Sequence, residues 1–240
     1  MNLKNKLLNY FFELNKNDIK KIPIIINNYN RLTTLKRLIQ SLEKRGYENI
    51  HILDNKSCYP PLLDYYKEIS PTIKVHFLNK NYGYKALWKS GKWRSFMFSY
   101  FCYTDSDLEI IDECCDDFLE KFYQLLIKYP EVFKVGFSLS INDLPDYYSR
   151  KQEVIDWEKR FYEIEKEPNI FIAPIDTTFA IYRPFSKRGK RNGEDEMLRI
   201  GFPYQCKHLP WYNECANLTE EEKYYLQSVE KPTHWSKISD

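Results

Sequence analysis

From its first third onward this chain alternates short β-branched apolar runs with segments of helical period, and most of the runs stop at polar or acidic residues. Ile22 to Ile26 is followed by Asn27-Asn28-Tyr29-Asn30, and Ile50 to Leu53 by Asp54-Asn55. Ile73 to Leu78 precedes Asn79, Phe98 to Thr104 leads into Asp105-Ser106-Asp107, and Phe133 to Ile141 forms a fifth run. Continuous apolar stretches of this length are the pattern of strands buried on both faces. Between them, Leu32, Leu35, Leu38, Ile39 and Leu42 recur on one helical face, with Gly46 as a stop. Pro60 and Pro61 open a further helix, residues 84–97 read as helical with aromatics on one side, and a long helix is predicted from Asp112 to Tyr129.

Strands joined by crossover helices predict an α/β fold, a single domain with a mostly parallel central sheet flanked by helices. Such sheets bind ligands beyond the carboxyl ends of their strands. Asn27, Asn28, Asp54, Asn79, Asp105 and Asp107 all fall there. Past residue 142 the rhythm changes: a charged helix over 150–166, one strand from Ile170 to Tyr182, a polar segment from Ser186 to Glu196, and a strand from Met197 to Trp211 that carries His208. No repeat or linker divides the chain. The expected organisation is an N-terminal amphipathic segment (1–20), one domain (21–215) and a polar C-terminal tail (216–240) that frays.

Composition removes several classes of function. The net charge is +2, from 36 basic and 34 acidic residues, so no basic excess marks a nucleic-acid binder. No apolar run approaches the ~18 residues of a membrane span, and the N-terminus lacks the zones of a signal peptide. The six cysteines form no Cys-x-x-Cys pair, which predicts reduced thiols and a cytoplasmic protein. The segment 1–20 carries Leu7, Leu8, Tyr10, Phe11, Phe12 and Leu14 as an apolar patch. It can pack on the domain or touch a membrane surface peripherally; packing is favoured because its basic face is thin.

Asp105 and Asp107 place two like charges close together if the backbone is extended there. A divalent cation with oxygen ligands is the natural compensator, and a diphosphate would fill its remaining positions. An Asp-x-Asp triplet is common by chance; its place at the end of an apolar strand is what gives it weight. His51, His76 and His234 read as structural histidines, and His208 alone would too. Trp88, Trp93, Trp157 and Trp211 read first as core; Trp211, close to His208, is also a candidate acceptor-side stacking surface.

Ile24-Ile25-Ile26-Asn27-Asn28-Tyr29-Asn30-Arg31, Ile52-Leu53-Asp54-Asn55 and Asp105-Ser106-Asp107 resemble the ordered blocks of family 2 glycosyltransferases of the GT-A fold. Residues 81–88, Asp176-Thr177-Thr178-Phe179-Ala180 and His208-Leu209-Pro210-Trp211-Tyr212 resemble further blocks of a bacterial and viral subgroup. The resemblance runs over about residues 22–213, and the ordered set is far more specific than the triplet. It implies an inverting, metal-dependent transfer of a hexose from a nucleoside-diphosphate sugar, UDP being the expected nucleotide, to a glycan, lipid-linked or protein-linked acceptor.

By the same resemblance, Asn27, Asn28 and Arg31 border the nucleotide, Asp54 meets the base or ribose, and Asp105 reaches the ribose or a metal-bound water. Asp107 and His208 hold Mn²⁺ or Mg²⁺. Lys85 lies near the sugar or phosphates, although a solvated helix residue accounts for it equally. Asp176 is the nominated general base. Asp143 and Asp146 are alternatives or acceptor contacts, and Glu194-Asp195 reads as a solvated turn despite matching the Glu-Asp pair of many GT-A enzymes.

Two other classes compete. A nucleotidyltransferase would follow its first strand with a Gly-rich basic loop, and residues 27–31 contain no Gly. A non-catalytic nucleotide- or sugar-binding module would tolerate loss of the metal set, yet Asp105, Asp107 and His208 are all present.

Overall fold

The computed structural model describes residues 3–69, 71–176, 178–186, 196–214 and 217–229. The N-terminal half builds the expected parallel unit. β1 (Ile24–Asn28) lies between β2 (Ile50–Asp54) and β4 (Phe101–Asp105), and β3 (Lys74–Phe77) pairs outside β2, all in parallel. Side-chain alternation divides β1 between two cores. Ile24 and Ile26 join one with Leu35, Leu38, Phe118 and Phe122, and Ile25 joins the other with Leu53, Leu87, Phe101 and Tyr103. The first is covered by α3 (Thr33–Lys44), α4 (Pro60–Glu68) and α6 (Phe118–Lys128). The second lies under residues 83–96, where one helix was expected. Gly91 at φ +78° breaks that segment into short 3-10 turns around α5 (Ala86–Lys89).

Beyond β4 the sheet is mixed, which corrects the expectation of a mostly parallel one. The full order is β3-β2-β1-β4-β9-β6-β10-β8-β7, where β6 is Val132–Leu139, β7 Glu165–Glu167, β8 Ile170–Ile172, β9 Ala180–Tyr182 and β10 Glu196–His208. The run expected as one strand from Ile170 to Tyr182 is two, parted around Pro174, which has no N–H for a ladder. β8 pairs with β10, while β9 inserts antiparallel between β4 and β6. Gly136 permits that insertion: a Cβ there would stand 2.4 Å from the Phe179 carbonyl oxygen. The charged segment supplies α7 (Lys151–Lys159).

β5 (Leu108–Ile110) turns back immediately after the Asp triplet and pairs antiparallel with the end of β10. The region expected as a fraying tail instead forms α8 (Glu220–Ser228), which packs over the strand ends. At the other end, α1 (Leu3–Phe11) and α2 (Lys16–Ile19) precede β1.

A candidate active site at the ends of β1, β4 and β10

Register brings the polar strand ends together. Asn27 of β1 stands beside Asp105 of β4, and its Nδ2 donates to Asp105 Oδ1 at 2.9 Å. The β5–β10 ladder sets His208 opposite Leu108, and the Leu209 N–H donates to the Asp107 carbonyl at 2.9 Å. That backbone closure delivers an imidazole from late in the chain to the acidic turn: His208 Nε2 lies 3.8 Å from Asp107 Oδ2.

This gap exceeds a hydrogen bond. It is within the ~4.2 Å that two ligands, each about 2.1 Å from one ion, can span. Burial is the largest influence on His208 and pushes its pKa below the ordinary value, against the pull of Asp107 and Asp176, so the ring is neutral and able to ligate. His208 Nδ1 is buried and has no hydrogen-bond partner among the described residues. The oxygen-plus-imidazole donor set suits Mn²⁺ better than Mg²⁺. Asp105 is turned toward Asn27, and among the described residues no three His, Cys, Asp or Glu side chains form a metal-binding group on their own. The residues therefore fit an ion that also takes oxygens from a bound diphosphate.

Arg31 is buried beside this pair. Its Nε is 3.9 Å from Asp107 Oδ2, its Nη1 donates to Glu222 Oε1, and its guanidinium stacks 3.8 Å from the Tyr225 ring. Burial opposes its charge, but Asp107 and Glu222 outweigh burial and raise its pKa, so Arg31 stays cationic. Glu222 and Tyr225 belong to α8, outside the predicted domain. The signal for that helix was in the sequence: Thr219-Glu220-Glu221-Glu222 is a capping pattern, and Thr219 Oγ1 accepts the Glu222 N–H at 3.2 Å. Glu221 in turn accepts from the Thr33 N–H and hydroxyl at the start of α3.

Asn28 and Asp54, expected to face the nucleotide, are each 1% exposed and bonded to one another through Tyr66. Asn28 Nδ2 donates to the Tyr66 hydroxyl, which donates to Asp54 Oδ2; Ser106 Oγ donates to Asn28 Oδ1, and the Ser57 N–H to Asp54 Oδ1. In this conformation they brace the β1, β2 and β4 ends from beneath. Lys85 ends the 3-10 turn after Gly83, half-buried, with Nζ 5.3 Å from the Tyr84 ring centroid.

The three candidate bases described here separate by environment. Asp176 is exposed in the loop between β8 and β9, and its charge reaches His208. Its backbone carbonyl accepts from Lys134 Nζ at 3.0 Å. Lys134 also donates to the Tyr182 hydroxyl, and burial, opposed by the Asp176 charge, brings its pKa down to about 7. Sequence reasoning missed Lys134 because it sits inside an apolar strand run. Asp143 is engaged elsewhere: Lys207 Nζ lies 2.5 Å from Oδ2, and Tyr212 and Ser140 donate to Oδ1. Burial would raise its pKa, but those bonds outweigh burial and hold it below the usual carboxylate range. Asp146 pairs with Lys151 in solvent. Glu194, Asp195 and His234 lie outside the described residues. Trp211 is 2% exposed, as the core reading expects, and its ring packs edge-on against His208 with centroids 4.8 Å apart.

The fold is of the GT-A type. The profile of Glycosyl transferase family 2 matches residues 24–187, and the chain belongs to that family. Among solved structures it is similar to GalNAc-T7 with UDP, GalNAc and Mn²⁺, at 16% identity and TM-score 0.49, over 78% of this chain and 43% of that one. It is also similar to S. aureus TarS 1-349, at 15% and 0.46 over 79% and 60%, and to the glucosyl-3-phosphoglycerate synthase of Mycobacterium tuberculosis, at 13% and 0.41 over 71% and 62%. The chain thus spans 43% to 62% of these three solved chains. No curated protein matches it.

Proposed function

We propose that this chain is a metal-dependent, inverting glycosyltransferase that moves a hexose from a nucleoside-diphosphate sugar, with UDP the expected nucleotide, to a hydroxyl of a glycan or glycoconjugate acceptor. The observation that carries the reading is the meeting of His208 and Asp107 at the strand ends. Asp107 and His208 would hold a divalent ion, which would supply a Lewis acid for the charge that grows on the departing diphosphate. Arg31 adds a fixed positive charge beside Asp107, and its burial strengthens the effect. Asn27 keeps Asp105 oriented at the ribose side. Asp176 accepts the proton of the attacking hydroxyl, with Lys134 fixing its backbone. Asp143 is too firmly paired with Lys207 to share that role.

The test is a panel of nucleotide sugars with Mn²⁺, following release of free nucleoside diphosphate, with water as the acceptor of last resort. Release from one donor class is expected. Binding of UDP without release from any donor would leave a binding module, and release of pyrophosphate from a nucleoside triphosphate and a sugar phosphate would make the chain a nucleotidyltransferase.

A further inference from the structure

A surface helix of a soluble protein ordinarily turns its apolar stripe inward; α1 does the reverse. Its polar side meets the body: Asn5 Nδ2 donates to the Pro130 carbonyl at 2.7 Å and Asn9 Nδ2 to that of Ile127 at 3.3 Å. Asn9 Oδ1 accepts from the Tyr100 hydroxyl and from the buried Arg183. Leu3, Leu7, Tyr10 and Phe11 face outward, 65%, 50%, 77% and 72% exposed. At about 100° per residue these four occupy one arc of roughly 100°, with Lys4 on one margin and Lys6 on the other. No acidic residue lies in the helix. The patch continues past its end: Phe12 meets Phe185, and Phe185 meets Phe98, itself 66% exposed.

We propose that this face docks on an anionic lipid bilayer, with α1 flat in the interface. The aromatic and leucine side chains enter the headgroup boundary, and Lys4 at its margin meets lipid phosphates. Nine residues reach only about 14 Å, too short to span, and among the described residues no helix is long and apolar enough to cross a membrane. Charge argues against a second copy as the occupant, because two such faces would oppose lysine to lysine. Asn9 is anchored at Tyr100, just before β4, and at Arg183, just after the antiparallel β9. The docked face is therefore at the end of the sheet opposite Asp105, and the candidate active site stays open to the aqueous side. This inference stands independently of the chemistry assigned to that site.

The test is flotation of the full chain with phosphatidylcholine vesicles, with and without about 30% phosphatidylglycerol. The wild type is expected to float with the anionic vesicles and much less with the neutral ones. Leu7→Ser/Phe11→Ser and Lys4→Glu should each weaken partitioning about tenfold or more, with circular dichroism and Tm unchanged because these side chains are exposed. Absence of flotation, or flotation of both variants equal to the wild type, overturns the proposal. So does a concentration-dependent dimer that Leu7→Ser/Phe11→Ser abolishes, since a second copy would then be the occupant.

Discussion

Asp176 and His51 are both polar side chains near strand ends, and burial gives them opposite tasks. Asp176 is exposed and within electrostatic reach of His208. Asp176→Asn should lower kcat about 10²-fold or more with donor binding unchanged, and near-normal turnover would remove it from the mechanism. His51 is buried at the far end of the sheet, with Nδ1 3.0 Å from His76 Nε2 and Nε2 3.0 Å from Asn49 Oδ1. Burial first, then His76 and Lys74, lower its pKa from 6.5 to about 4. The unfolded chain accepts that proton and the folded chain resists it. Stability is therefore complete above about pH 6.5 and declines as pH falls toward about 4, by roughly 3 kcal/mol from this group. Urea midpoints at about pH 7 and about pH 4.5 should differ less in His51→Gln than in the wild type; an unchanged difference would assign the acid sensitivity to other groups. The sequence reading expected Asp107 and His208 to meet, and the two side chains lie 3.8 Å apart; Asp105 is held by Asn27 instead. The sequence could not tell that Asn28 and Asp54 are consumed by Tyr66, because a buried brace and a ligand contact use the same residue types at the same strand ends.

Elements were legible where one periodicity ran unbroken. The first parallel strands and α3 follow their patterns closely. Residues 170–182 look like one strand because apolar content reports burial, whereas partner choice depends on distant strands: β8 answers to β10, and β9 to β4 and β6. α8 carries a cap signal at Thr219 but no apolar periodicity. Its inward contacts are Glu221, Glu222 and Tyr225, so no apolar face announces it. The Arg31–Glu222 pair is shielded, with side chains 4% and 12% exposed. Glu222→Ala leaves a buried guanidinium short of a partner and should cost about 3 kcal/mol in chemical denaturation. It should also loosen the α8 cover over Asp107. A loss below about 0.5 kcal/mol would mean the pair is screened as on an open surface.

On the scale of the whole molecule, the chain joins a parallel nucleotide-type half to a mixed second half, and the site exists only where they close. β1 and β4 carry Asn27 and Asp105, and the turns after them carry Arg31 and Asp107; β10 returns through its ladder with β5 to supply His208. Asp107 and His208 leave most of an ion's positions to other ligands, so metal and nucleotide should depend on each other for binding. Thermal unfolding with UDP alone, Mn²⁺ alone and the two together measures that dependence directly. A rise in Tm that needs both components, and is lost in His208→Ala, is the predicted result. An equal rise with UDP in the presence of a chelator, or an undiminished rise in His208→Ala, would contradict the assignment of the site.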